Sequence, residues 1–91
     1  MAYEVMDLQN HYLSVLSKAQ KKFRKTYAGT SEWIKKEHDV MLKEVNKQLK
    51  IRGRDPITYD TLRNAEKLAL GHVDYASKFS LYLAQVTLGT Y

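Results

Sequence analysis

The chain has 91 residues, enough for one domain with a modest core. It holds no cysteine, which excludes disulfides, thiolate metal sites and cysteine nucleophiles. One proline, four glycines and a hydrophobic share of 44% set aside the low-complexity class, and the net charge of +5 is unevenly placed: residues 18–54 hold twelve cations against four acids, while the flanking segments are slightly acidic.

Glu4 and Asp7 interrupt the first residues, so no secretory leader is expected. The longest uncharged stretch, the 13 residues after Lys78, is too short to span a bilayer, which takes about 20. A cytoplasmic location is expected.

A first helix is predicted over about residues 2–27. Val5, Leu8, Tyr12, Leu16, Ala19, Phe23 and Tyr27 recur every three or four positions and line one face. Ala28-Gly29-Thr30-Ser31 then breaks the pattern. Gly29 suits a C-terminal stop, and Thr30 or Ser31 suits a cap for the next helix.

A second helix is predicted over about residues 32–52. Ile34, Met41, Val45 and Leu49 form its inward stripe, with Trp33 and Leu42 beside it. Glu32 opens it, and Lys47, Lys50 and Arg52 crowd its last turns, charges that the helix dipole favours at each end. Gly53 comes next as a left-handed cap. In the next turn Asp55 reads as an N-cap with Pro56 at the first helical position, and Thr58 competes for the cap.

The last segment, about residues 57–88, is more apolar. Leu62, Ala65, Ala69, His72, Ala76, Phe79, Leu83 and Val86 keep a 3-4-3-4 spacing, a heptad-like seam whose alanines permit close helix approach. Leu68, Tyr75 and Tyr82 form a second stripe. A surface this wide is expected to be a central helix or a self-association seam. The fold class is therefore all-α: an antiparallel bundle of three helices, or of four if Gly71 breaks the last segment and Asp74 caps a separate fourth helix.

The functional candidates begin with charge. Lys18, Lys21, Lys22 and Lys25 share one face of the first helix, with Arg24 beside them, and Lys36, Lys43, Lys47 and Lys50 form a row on the second, extended by Arg52 and Arg54. On an antiparallel hairpin these rows attract an acidic protein or phosphate. Tyr27 and Trp33, near the hairpin turn, are candidates for stacking on bases. Lysine outnumbers arginine, which favours diffuse attraction over specific phosphate recognition, and the bland alternative is a solvated face.

Other chemistry is thin. Glu4, Asp7 and His11 share a helical face, but the three histidines are far apart and no Glu-x-x-His spacing occurs, so no metal or cofactor is expected. His72 falls in the apolar seam, where it is either a pH-sensitive interface group or a packed, hydrogen-bonded ring. No serine lies in a Gly-x-Ser-x-Gly turn, and Glu37-His38-Asp39 sends consecutive residues to different faces, so neither catalysis nor a small-molecule substrate is indicated. The expected function is a non-catalytic binding or assembly module. It would self-associate through the seam and meet an acidic macromolecule with the basic hairpin, the alternative being a nucleic-acid-binding protein that uses the same hairpin. So short and motif-poor a chain also suits a phage or mobile-element origin.

Overall fold

The structure, a computed structural model, describes residues 2–90, with side chains from Glu4 to Thr90. Four helices succeed one another: α1 (Ala2–Thr26), α2 (Glu32–Ile51), α3 (Tyr59–Ala69) and α4 (Tyr75–Leu88).

The expected third helix is thus two helices. A single helix over residues 57–88 would be about 48 Å long at 1.5 Å per residue. The longest extent of the molecule is 40 Å. Leu70 is extended (φ −63°, ψ 139°) and Gly71 takes φ 90°, a left-handed conformation that only glycine adopts without cost. The chain turns there, and α4 folds back onto α1 and α3. Asp74 stands at the N-cap position of α4, but its side chain makes no capping bond.

The other boundaries obey local chemistry. Gly53 ends α2 in the left-handed region at φ 69°. Of the two candidate caps for α3, Thr58 takes the position: its hydroxyl accepts from the backbone N–H of Thr61 at 3.3 Å. The Asp55–Pro56 alternative is corrected, because the preceding loop is fixed elsewhere. Asn46 accepts from the N–H of Ile57 at 2.8 Å and donates to its carbonyl at 3.3 Å, tying the loop to the flank of α2. Between α1 and α2, the Thr30 hydroxyl accepts from the N–H of Glu32, whereas Ser31 makes no side-chain cap.

α1 and α2 run antiparallel. Arg24 meets Glu37, His11 meets Glu44 and Arg52 meets Glu4, one residue number falling as the other rises. α1 also packs closely along α4. The core joins Leu8, Tyr12 and Leu16 of α1, Met41, Val45 and Leu49 of α2, Leu62, Ala65 and Ala69 of α3, and Phe79, Leu83 and Ala84 of α4. Tyr12 is fully buried and shares a 2.7 Å hydrogen bond with Thr87, whose hydroxyl also donates to the Leu83 carbonyl.

This core overturns the reading of the seam as a self-association surface. Leu62, Ala65, Ala69, Phe79 and Leu83 are buried within the chain, and Ala76 and Val86 are half-buried. His72 lies in the turn after α3 and is exposed, so the packed-ring reading does not hold for it. The physical reason is the break at Gly71. It divides the heptad-like spacing between two helices that pack on each other and on α1, so the apolar face closes internally.

Candidate functional site

The basic hairpin comes first, since the sequence singled it out. All nine lysines of residues 18–54 are exposed. Among the described residues none of them forms an ion pair. On α2, Met41, Val45 and Leu49 point inward, so Lys36, Lys43, Lys47 and Lys50 project from the opposite side over roughly 21 Å of helix. On α1, Lys18, Lys21, Lys22 and Lys25 lie to one side of the buried stripe of Leu8, Tyr12, Leu16 and Ala19. Two rings hold lysines near the turn: Lys22 Nζ is 5.5 Å from the Phe23 ring centre, and Lys36 Nζ is 5.9 Å from that of Tyr27.

The arginines behave differently. Arg24 Nε donates to Glu37 Oε2 at 3.3 Å, and its guanidinium lies 4.6 Å from the centre of the Trp33 ring. Arg52 bonds back to Gln48 and pairs with Glu4 at 3.8 Å, while Arg54 is exposed beyond the end of α2. Tyr27 and Trp33, the proposed stacking residues, are both half-buried, and Trp33 has one face engaged by Arg24.

A second site has no counterpart in the sequence reading. At the end of the bundle where α1 stops and α2 and α4 start, a cleft of about 490 Å³ opens. Arg24, Trp33, Ile34, Tyr59, Arg63 and Leu70 line it, together with Glu37, His38, Glu66 and Tyr75 below. His38 is the hub. Its Nε2 is 2.7 Å from Glu66 Oε2, and its Nδ1 is 2.8 Å from the Tyr59 hydroxyl. The Tyr75 hydroxyl donates to the same Glu66 oxygen at 2.7 Å, and Arg63 Nη1 contacts the other.

These partners assign the protons. A carboxylate accepts only, so His38 carries its hydrogen on Nε2 and donates it to Glu66. Nδ1 then accepts from the Tyr59 hydroxyl. Burial, reinforced by the Arg63 charge, holds His38 below its ordinary pKa, and the ring is neutral at pH 7. Burial pushes Tyr75 up to about 12, which keeps its phenol a donor. Burial also raises Glu37, against the pull of Arg24. The network ties α2, α3 and α4 together at three helix faces and leaves one neutral imidazole among two buried carboxylates and two arginines.

No protein-family model, no curated protein and no solved structure matches the chain.

The run Glu37-His38-Asp39 does not act as a pair: Glu37 reaches back to α1, and His38 reaches forward to α3. Yet both side chains are buried in the same cleft wall. Spacing carried a trace of this. Between Ile34 and Met41 the inward stripe of α2 skips a turn, and position 38 fills the gap. Position 66 likewise comes four after Leu62 on the inward face of α3. Polar residues at two inward positions were the available signal.

The remaining candidates resolve simply. Glu4 and His11 reach across to Arg52 and Glu44 on α2, and among the described residues no group of three or more His, Asp or Glu is arranged to hold a metal ion. Among the described residues no helix is long and apolar enough to cross a membrane.

Proposed function

We propose that the chain is a cytoplasmic, non-catalytic binding module that holds an acidic macromolecular partner against the outer face of the α1–α2 hairpin. One observation carries the reading: nine exposed lysines, none in an ion pair among the described residues, on one antiparallel helical pair. A protein that used these charges to hold its own fold would pair them, as it pairs Arg24, Arg52 and Arg63. The lysines outnumber the acids on this pair and give it a net positive field, which raises encounter rates with an oppositely charged surface.

Nucleic acid is the second reading, favoured by the row of α2 lysines, which spans a length comparable to several phosphates. Against it stands the arginine already lying on Trp33, which leaves that ring less free to stack on a base.

Fluorescence anisotropy separates the two. A labelled mixed-sequence DNA duplex and a labelled polyglutamate peptide are titrated from low to moderate salt. The protein-partner reading expects the peptide to bind and the duplex to compete poorly. A tighter duplex complex with a steep salt dependence moves nucleic acid to the front. Lys21→Glu with Lys22→Glu, and separately Lys43→Glu with Lys47→Glu, are expected to weaken whichever complex forms. Binding of neither probe at low salt removes the hairpin from the functional account.

A further inference from the structure

The cleft at the bundle end is not used by the lysine rows, and its layering gives it a distinct chemistry. Its carboxylates are at the bottom: the side chains of Glu37 and Glu66 are 7% and 8% exposed. Its guanidinium groups are at the rim: those of Arg24 and Arg63 are 50% and 35% exposed. An entering molecule meets the cations first, and the anions below are already engaged with them. Arg24 commits Nε to Glu37 and Arg63 commits Nη1 to Glu66, so each fork keeps most of its donors for a further acceptor.

The walls are aromatic and aliphatic. Trp33 and Tyr75 are half-buried, and Ile34, Tyr59 and Leu70 are exposed at the mouth. Large apolar side chains left in water around a concave site with a few convergent polar groups are the usual make-up of a small-molecule pocket, and about 490 Å³ falls within the roughly 300–1,000 Å³ such pockets occupy. The cleft is pre-organised, because His38 bonds to Tyr59 and Glu66, and Tyr75 to Glu66, before anything binds.

We propose that this cleft binds a small planar aromatic anion, its ring against Ile34, Tyr59 and Leu70 and its carboxylate or phosphate on the guanidinium groups of Arg24 and Arg63. A cationic ligand finds no accessible carboxylate there. A neutral ring leaves the arginine donors without an acceptor. The site does not depend on the proposed role of the hairpin, since the lysines take no part in it.

Trp33 is the single tryptophan of the chain and lines the cleft, so its fluorescence reads occupancy directly. The intact protein is titrated with benzoate, phenyl phosphate and benzylamine to about 10 mM, a decade above the millimolar affinity that ligands of this size reach. A saturable change with benzoate or phenyl phosphate and none with benzylamine is expected, and the stronger of the two anions separates a carboxylate ligand from a phosphate one. Arg63→Gln is expected to weaken binding about tenfold, the loss of one charge-assisted hydrogen bond, and Lys47→Gln to leave it unchanged. Because Arg63 also supports Glu66, circular dichroism accompanies that variant. Ile34→Glu provides an independent reading, as it places a carboxylate at the exposed mouth without touching the core and should abolish anion binding. Three results overturn the proposal: no saturable response to either anion, an equal response to benzylamine, or unchanged affinity in a folded Ile34→Glu protein.

Discussion

The α1–α2 hairpin and the bundle-end cleft treat charge in opposite ways. On the hairpin, lysines stand in water, and among the described residues none has an ionic partner. In the cleft, Glu37 and Glu66 are buried, and each has an arginine. Charged side chains therefore serve two purposes in one small domain. An exposed lysine costs little and contributes little to stability, while a buried carboxylate is tolerated only when it is paired. The contrast divides the molecule into a face that the fold does not need and a polar cluster that it does.

The sharpest way to break that division is to remove the carboxylate that three side chains share. Glu66→Leu leaves the His38 N–H, the Tyr75 hydroxyl and the Arg63 guanidinium without their acceptor. The expected loss is about 3 kcal/mol, at the low end for breaking a buried ionic network because Arg63 is free to turn toward water. Urea unfolding measures it. A loss below about 1 kcal/mol would place the cluster among ordinary surface polar contacts and erase the difference between the two regions.

A smaller effect tests the protonation state of the hub. His38 is held below its ordinary pKa by burial and by Arg63, with Glu37 and Asp39 opposing and Glu66, Tyr59 and Tyr75 in direct contact or close by. The unfolded chain takes up this proton near pH 6.5, and the folded one resists it to lower pH. Unfolded protein then binds more protons, so stability falls as pH drops below about 6.5. Glu37, raised by burial, acts in the other direction, nearer the ordinary carboxylate range. Thermal unfolding of the wild type between pH 7.5 and 5.5 is expected to show a falling Tm, with a flatter profile for His38→Gln. A wild-type Tm that rises on acidification would mean that His38 pairs with Glu66 as a cation.

The legibility of the sequence splits along the same division. Helical spacing reports which residues turn inward, so Leu8, Tyr12 and Leu16 on α1 and Met41, Val45 and Leu49 on α2 were legible, as were the outward lysines. The glycine break was legible only as an alternative, because the apolar spacing runs through Gly71 undisturbed and only the length of the resulting rod counts against it. The seam misled for that reason: a periodic apolar face looks the same whether it closes on its own chain or on another. The cleft was hidden more deeply. Glu66 lies 28 positions from His38 and 3 from Arg63, and only the packing of α2 against α3 brings the histidine to the carboxylate. No local pattern encodes that meeting, although a histidine and a glutamate at inward positions were themselves the departures from pattern that marked it.

The smallest expected effect is the most pointed test of the hairpin. Lys18, Lys21, Lys22 and Lys25 are neighbours at spacings of three and four, so each repels the next by a few tenths of a kcal/mol. Reversing Lys21 and Lys22 to glutamate turns these repulsions into attractions, partly offset by the unfavourable placing of negative charge toward the C-terminal end of α1. The net change in stability is expected to stay within about 0.5 kcal/mol and to lean toward stabilisation, as judged by urea midpoints at low salt. Paired with weaker binding of an acidic probe, that result would show that the like charges work slightly against the fold and in favour of an encounter. A loss of more than about 1 kcal/mol would instead make these lysines part of the fold, and the hairpin would then resemble the cleft rather than contrast with it.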